Sequence, residues 1–241
     1  MKTLGIVAHS AEGSALCYLT ACRYGAERLG AFMHPTIVMS AVPMGLSMSG
    51  WESGKHSDVA VHLTKGIHLV AEAGADFYVC PDNTAHIVLE QIAAEMPIPG
   101  LHIADAVCTE IKSKGWGRAG ILGTDWTMTG TVYARALGRQ GIELIVPDSS
   151  LRKRVNDVIF GELCRGVFTE DSRAFFLRAI HELQRQCADC VILGCTEIPM
   201  IVEEAHSPLP TVDSTRLLAR SAVDEAVSDA TIDNEAGWIR R

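Results

Sequence analysis

The chain has 241 residues, 48% hydrophobic and 21% charged, enough for one large domain or two of about 110 to 120 residues, each with its own core. Its formal net charge of -8 excludes the clustered Lys and Arg that a nucleic-acid surface needs. No apolar run approaches the roughly 18 residues of a membrane span, and "MKTLGIVAHSAEGS" runs straight into a strand-like segment without an export signal's apolar core, so the expectation is a cytoplasmic protein with no membrane or nucleic-acid partner.

In chain order, β-rich runs alternate with longer amphipathic stretches. "TLGIVAHS" opens the chain, followed by a helical stretch at 14–30, "PTIVMSAV", a helix at 56–73, "DFYVC", a helix at 84–95, "IPGLHI" and a helix at 103–114. Then come "RAGILGT", 127–140, "IELIVP", helices at 150–165 and 171–186, "CVILGC", 197–205, "LPTVDS" and 214–228. Strands separated by helices of about 10 to 18 residues predict an α/β fold with mainly parallel sheets. Residues 46–60 are rich in Gly and Ser and read as a mobile loop over a cleft, while 229–241 lose the pattern and read as a loose polar tail. The eight cysteines mostly lie inside apolar periodic segments and read as reduced thiols.

The chain repeats itself. "GIVAHS" at 5–10 corresponds to "GILGTD" at 120–125, an offset of 115, and "ADFYVCPDNTAH" at 75–86 corresponds to "ADCVILGCTEIP" at 188–199, an offset of 113. Nearly equal offsets predict a duplicated α/β unit, 1–115 and 116–228, with exchange of the C-terminal segment possible and 229–241 as the tail. Asp82 and Cys195 then occupy equivalent positions.

Both motifs place polar residues just past a strand's carboxyl end, where parallel α/β sheets bind ligands. Asn83 and Thr84 in one half, Thr196 and Glu197 in the other, would open helices and offer amides and hydroxyls suited to a small carboxylate. Halves that face one another would bring Asp82 and Cys195 to the cleft from opposite sides. Opposed proton-accepting groups of this kind can remove a proton from one face of a carbon and return one to the other.

"GADFYVCPDNTAH", "GILGTDWTMTG", "CVILGCTEIP" and "PTVDSTRLLARSAV" together resemble the aspartate/glutamate racemase superfamily, whose relatives include hydantoin racemases, maleate isomerases and arylmalonate decarboxylases. The resemblance spans residues 3–228. It implies two pseudo-symmetric α/β domains with the active site in the cleft between them, no cofactor and no metal, and a homodimer. Typical racemases carry Cys-Asn-Thr in the first half and Gly-Cys-Thr in the second. Here the second is intact at Gly194-Cys195-Thr196, and the first reads Asp82-Asn83-Thr84. Cys80 cannot stand in for the missing thiol, since two residues along a strand place it about 6 to 7 Å further back. By the same resemblance Ser10, Asn83, Thr84, Thr124, Thr127 and Thr196 bind the substrate carboxylate, and Glu197 orients or deprotonates the Cys195 thiol.

The implied activity is a cofactor-independent racemase or epimerase of a small carboxylic acid, an amino acid or dicarboxylate, in which Asp82 and Cys195 exchange the proton next to the carboxylate. The alternatives are a one-cysteine decarboxylase or cis-trans isomerase of a small dicarboxylic acid, and a non-catalytic binding relative. An activated Cys195 would alkylate well below pH 8.5, whereas an inert relic would show ordinary thiol reactivity. Cys187 and Cys190 form a C-x-x-C without a second pair, His86 reads equally as a packing or a site residue, and the other histidines are dispersed. None of these forms a metal-binding pattern.

Overall fold

The computed structural model describes residues 1–232 and 234–239. The chain divides into two compact units, Met1–Ile103 with Thr215–Arg241, and Ala104–Ser214. Among the described residues no helix is long and apolar enough to cross a membrane, and the eight cysteines are free.

The first unit contains β1 (Leu4–Ala8), α1 (Ala11–Leu29), β2 (Ile37–Ala41), α2 (Met48–Ser53), α3 (His56–Glu72), β3 (Phe77–Val79) and α4 (His86–Ile92). Its strands are parallel in the order β2-β1-β3. All five residues of β1 are buried, as a continuous apolar run covered on both faces requires. The second unit contains α5 (Ile103–Ser113, from Ala104 on), β4 (Arg118–Gly123), α6 (Asp125–Thr129), α7 (Thr131–Arg139), β5 (Glu143–Ile145), α8 (Ser149–Gly161), α9 (Glu170–Arg185), β6 (Cys190–Gly194) and β7 (Thr211–Asp213). Its parallel order is β5-β4-β6-β7. The α/β class with parallel sheets is therefore as the periodicity predicts.

The repeat extends to the register. Leu4 pairs with Phe77 in the first unit and Ala119 with Cys190 in the second, the same pairing after shifts of 115 and 113. Each β3-type strand is preceded by an Asp that hydrogen-bonds the backbone beside the central strand. Thr3 N-H donates to Asp76 Oδ2 at 2.7 Å, and Arg118 N-H donates to Asp189 Oδ2 at 2.8 Å. Helix packing follows suit: a Cβ on Gly5 would lie 2.9 Å from Val70 of α3, and one on Gly120 2.8 Å from Leu183 of α9. In both units glycine lets a helix settle directly on the central strand.

The last helix, α10 (Ser214–Val227), contributes Leu218, Ala219, Ala222, Val223 and Ala226 to the core around Leu4, Ile6, Phe77 and Val79 of the first unit. After it, β8 (Asn234–Glu235) and β9 (Trp238–Ile239) form an antiparallel hairpin. Gly100 N-H donates to Gly237 O and Ile239 N-H to Gly100 O, both at 2.9 Å, while residues 99–101 bond in turn to Tyr78. The loose tail expected of 229–241 is thereby corrected over 234–239, because Trp238 is an apolar anchor with its side chain buried against Tyr78 and two histidines.

Two further expectations are corrected. The segment 46–60 is no loop, since it holds α2 and the start of α3 around the buried Trp51. The helix expected at 197–205 is replaced by single 3₁₀ turns, Ile198–Met200 and Glu204–His206, Pro199 lacking the N-H that a continuing helix would use.

Cys187 explains itself by the same repeat. It sits at φ 63°, and its equivalent in the first unit is Gly74 at φ 94°, the left-handed residue that ends each helix before the strand. Among the described residues no group of three His, Cys, Asp or Glu side chains is arranged for a metal. Replacing Cys187 with Gly relieves left-handed strain at the cost of added chain entropy, so Cys187→Gly is expected to raise stability by about 0.5 kcal/mol and Cys187→Val to lower it by about 1 kcal/mol, read from urea unfolding midpoints.

Candidate active site

In the first unit the strand register carries past its last bonded pair to set His9 beside Asp82. His9 Nδ1 lies 2.5 Å from Asp82 Oδ2, with side-chain exposures of 2% and 15%. The other carboxylate oxygen, Oδ1, accepts the Ala85 N-H at 3.2 Å. Burial pushes the Asp82 carboxyl up, but the hydrogen bond and charge of His9, helped by the Ala85 amide, more than offset this and hold it below its ordinary range. Asp82 is therefore a carboxylate, and His9 Nδ1 donates to it.

His86 braces the same turn from behind. Its Nδ1-H donates to Asp82 O at 2.9 Å, and its Nε2 accepts the Ile103 N-H at 3.2 Å. The ring is fully buried between His102 at 4.8 Å and Trp238 at 5.9 Å. Burial, reinforced by His102, lowers its pKa to about 3, consistent with a neutral ring whose second nitrogen must stay an acceptor. His86 is a structural bracket rather than a proton donor. Asn83 and Thr84, buried at 3% and 8%, make the turn into α4, and Ser10 caps α1 by accepting the Gly13 N-H at 3.2 Å.

In the second unit Gly123 and Gly194 are paired at the strand ends. A Cβ on Gly123 would lie 2.8 Å from Gly194 O, so the glycine keeps these ends close. The residues that follow, Thr124 and Cys195, are accordingly neighbours. Thr124 Oγ1 caps α6 by accepting the Thr127 N-H at 3.1 Å, and the two hydroxyls lie 3.1 Å apart. Glu197, 2% exposed, receives two bonds on Oε2, from Cys195 Sγ at 2.9 Å and from Thr196 Oγ1 at 2.7 Å. Hydrogen bonding with Cys164, burial and the Glu197 carboxylate hold the Cys195 thiol well above its usual range. These surroundings favour the thiol of Cys195 over the thiolate.

Each unit thus gathers its predicted residues at the carboxyl end of its central strands. His9 is the residue that sequence reasoning missed. The signal was present, since an offset of 115 makes His9 the repeat equivalent of Thr124, already a candidate.

Comparison with known proteins bears on this arrangement. The family model for Asp/Glu/Hydantoin racemase matches residues 13–222. The chain belongs to the Asp/Glu/hydantoin racemase family. The broad specificity amino-acid racemase RacX of Bacillus subtilis is 29% identical over 168 residues, covering 70% of this chain and 72% of that protein. Among solved structures, an Asp/Glu racemase candidate from Yersinia pestis is 33% identical with a TM-score of 0.85, over 95% of this chain and 100% of the other. An aspartate racemase homologue from Pyrococcus horikoshii OT3 is 25% identical with a TM-score of 0.79, again over 95% and 100%.

Two outcomes follow for this racemase-family site. Because His86 is depressed in the folded state from 6.5 to about 3, the unfolded chain binds its proton first as pH falls. The neutral ring's contribution is complete above about pH 6.5 and is lost progressively below it, at about 1.4 kcal/mol per pH unit down to about pH 3. Unfolding free energies from urea titrations at pH 7 and pH 4.5 are expected to differ by about 2 to 3 kcal/mol more in wild type than in His86→Gln. At Cys195, Glu197→Gln removes the charge that suppresses ionisation, so iodoacetamide is expected to label the Cys195 peptide at least about threefold faster at pH 8 than in wild type, read by mass spectrometry.

Proposed function

We propose that the protein is a cofactor-independent racemase or epimerase of a small carboxylic acid, an amino acid or dicarboxylate, with the Asp82 and Cys195 positions serving opposite faces of the carbon next to the carboxylate. The observation that carries this reading is the equivalence of the two positions, Asp82 just past β3 and Cys195 directly after β6, strands paired in the same register with their unit's central strand. The amino-acid racemase relative supports the substrate class.

The chemistry asked of the chain is proton transfer with stabilisation of a carbanion-like or enediolate state. Cys195, held as a thiol, is suited to donate its proton to carbon. Glu197, already accepting that S-H, is the group that takes the proton when the thiolate is needed for the reverse direction. Asn83, Thr84, Thr124, Thr127, Thr196 and Ser10 supply the amides and hydroxyls for the substrate carboxylate, where developing charge is best met by fixed donors in a water-poor site.

A second reading rests on the Asp82 carboxyl being held below its ordinary range, which weakens it as a base. It is a one-cysteine decarboxylase or double-bond isomerase in which Cys195 alone protonates or attacks.

Proton exchange in D₂O separates the two. D- and L-aspartate, D- and L-glutamate and small 2-substituted dicarboxylates are incubated with the protein and followed by NMR. The racemase is expected to incorporate deuterium at Cα with appearance of the opposite enantiomer, and Cys195→Ser to reduce inversion by about 100-fold or more. Loss of CO₂ or double-bond isomerisation supports the one-cysteine reading, and binding without turnover supports a ligand-binding relative.

A further inference from the structure

We propose that His9, acting through Nε2, is the proton-transferring residue of the first unit and that Asp82 is the residue that positions it. This rests on the racemase reading above and refines which atom performs one of its two proton transfers.

Both Asp82 carboxylate oxygens are engaged, Oδ2 by His9 Nδ1 at 2.5 Å and Oδ1 by the Ala85 N-H at 3.2 Å. The backbone on either side of the carboxylate is fixed as well, because His86 takes the Asp82 carbonyl. Each carboxylate oxygen thus already accepts one hydrogen bond, and the group is held in place as an acceptor. Across the pair, Nδ1-H points at the carboxylate, so Nε2 is the ring nitrogen left to exchange a proton, carrying the lone pair in the neutral ring and N-H in the cation. That nitrogen is buried and has no hydrogen-bond partner among the described residues, in a side chain only 2% exposed. A buried polar atom without a partner is costly in a folded protein and calls for a functional explanation.

The neighbouring groups do not compete for the role. His86 has both ring nitrogens occupied, and Cys80 is fully buried with its thiol pushed well above its ordinary range. An imidazole is the stronger base than a carboxylate, and a carboxylate behind it fixes the tautomer and stabilises the cation that forms. The first unit thereby carries an imidazole-carboxylate pair where typical members carry a thiol. His9 stands in the repeat where the second unit has Thr124, beside the position equivalent to Cys195.

The step balances without a co-reactant. The substrate Cα-H bond breaks, its electron pair enters the enediolate, and the proton forms an N-H bond at Nε2, giving an imidazolium paired with Asp82. The Cys195 S-H then protonates the opposite face, leaving a thiolate. Exchange with solvent returns both groups to their starting states.

The test follows each enantiomer of aspartate and glutamate separately in D₂O, for wild type, His9→Asn, His9→Gln, Asp82→Asn and Cys195→Ser, with thermal midpoints confirming that each variant folds. His9→Asn keeps a nitrogen donor for Asp82 and removes Nε2. It is expected to abolish inversion and cut deuterium uptake by about 100-fold for one enantiomer, while the other still takes up deuterium without inverting. Cys195→Ser is expected to give the mirror image. Asp82→Asn is expected to keep measurable uptake from both enantiomers and to shift the rising limb of the pH-rate profile. A His9→Asn or His9→Gln variant within threefold of wild type on both enantiomers, or a one-sided loss produced by Asp82→Asn and not by His9→Asn, overturns the assignment while leaving the racemase reading intact. A wild type that exchanges neither enantiomer overturns both.

Discussion

The parallel register of each unit's central strand pair is the constraint on which the rest depends. Leu4 opposite Phe77 and Ala119 opposite Cys190 determine which residues leave the two strands side by side. Parallel strands present the same chain direction at the same edge, so their following residues emerge together. Asp76 and Asp189 help hold that register, each bonding the backbone at the start of the neighbouring strand. A slip of one residue would turn His9 away from Asp82 and bury the wrong side chains throughout.

From that shared frame the two units diverge in electrostatics. The first holds a carboxylate below its usual range through an imidazole, and the second holds a thiol above its usual range beside a carboxylate. The same burial acts on both and pushes both acids up. At Asp82 the hydrogen bond and charge of His9 outweigh burial, whereas at Cys195 hydrogen bonding with Cys164 and the Glu197 carboxylate add to it. The carboxyl shifted down and the thiol shifted up thus differ in their neighbours, His9 at Asp82 against Cys164 and Glu197 at Cys195.

The scaffold around the first half-site is unusually dependent on distant chain. His86 links the Asp82 carbonyl to the Ile103 N-H, and Trp238 packs on His86 and His102. That hairpin needs Gly237, whose φ is 85° and whose added Cβ would lie 2.1 Å from Ala93 O. Chain-terminal residues thus help rigidify a turn some 150 residues earlier in sequence, as a positioned acid-base pair requires.

Alternation of short apolar runs with amphipathic stretches made the α/β class legible, because hydrophobic period is a local property. The repeat and the Gly194-Cys195-Thr196-Glu197 string were legible for the same reason, and Cys195, Thr196 and Glu197 interact within three consecutive residues. The structure of 46–60 and of 234–239 was not legible because Gly- and Ser-rich or polar surroundings hide their buried anchors, Trp51 and Trp238. His9 and Asp82 lie 73 residues apart, so their contact depended on strand order and register, which composition does not encode. The sequence by itself determined the fold class, the duplication and the clustering of Cys195, Thr196 and Glu197. Only the tertiary structure decided the partner of Asp82, the neutrality of His86 and the upward shift of the Cys195 thiol, since each depends on burial and on neighbours delivered by long-range pairing.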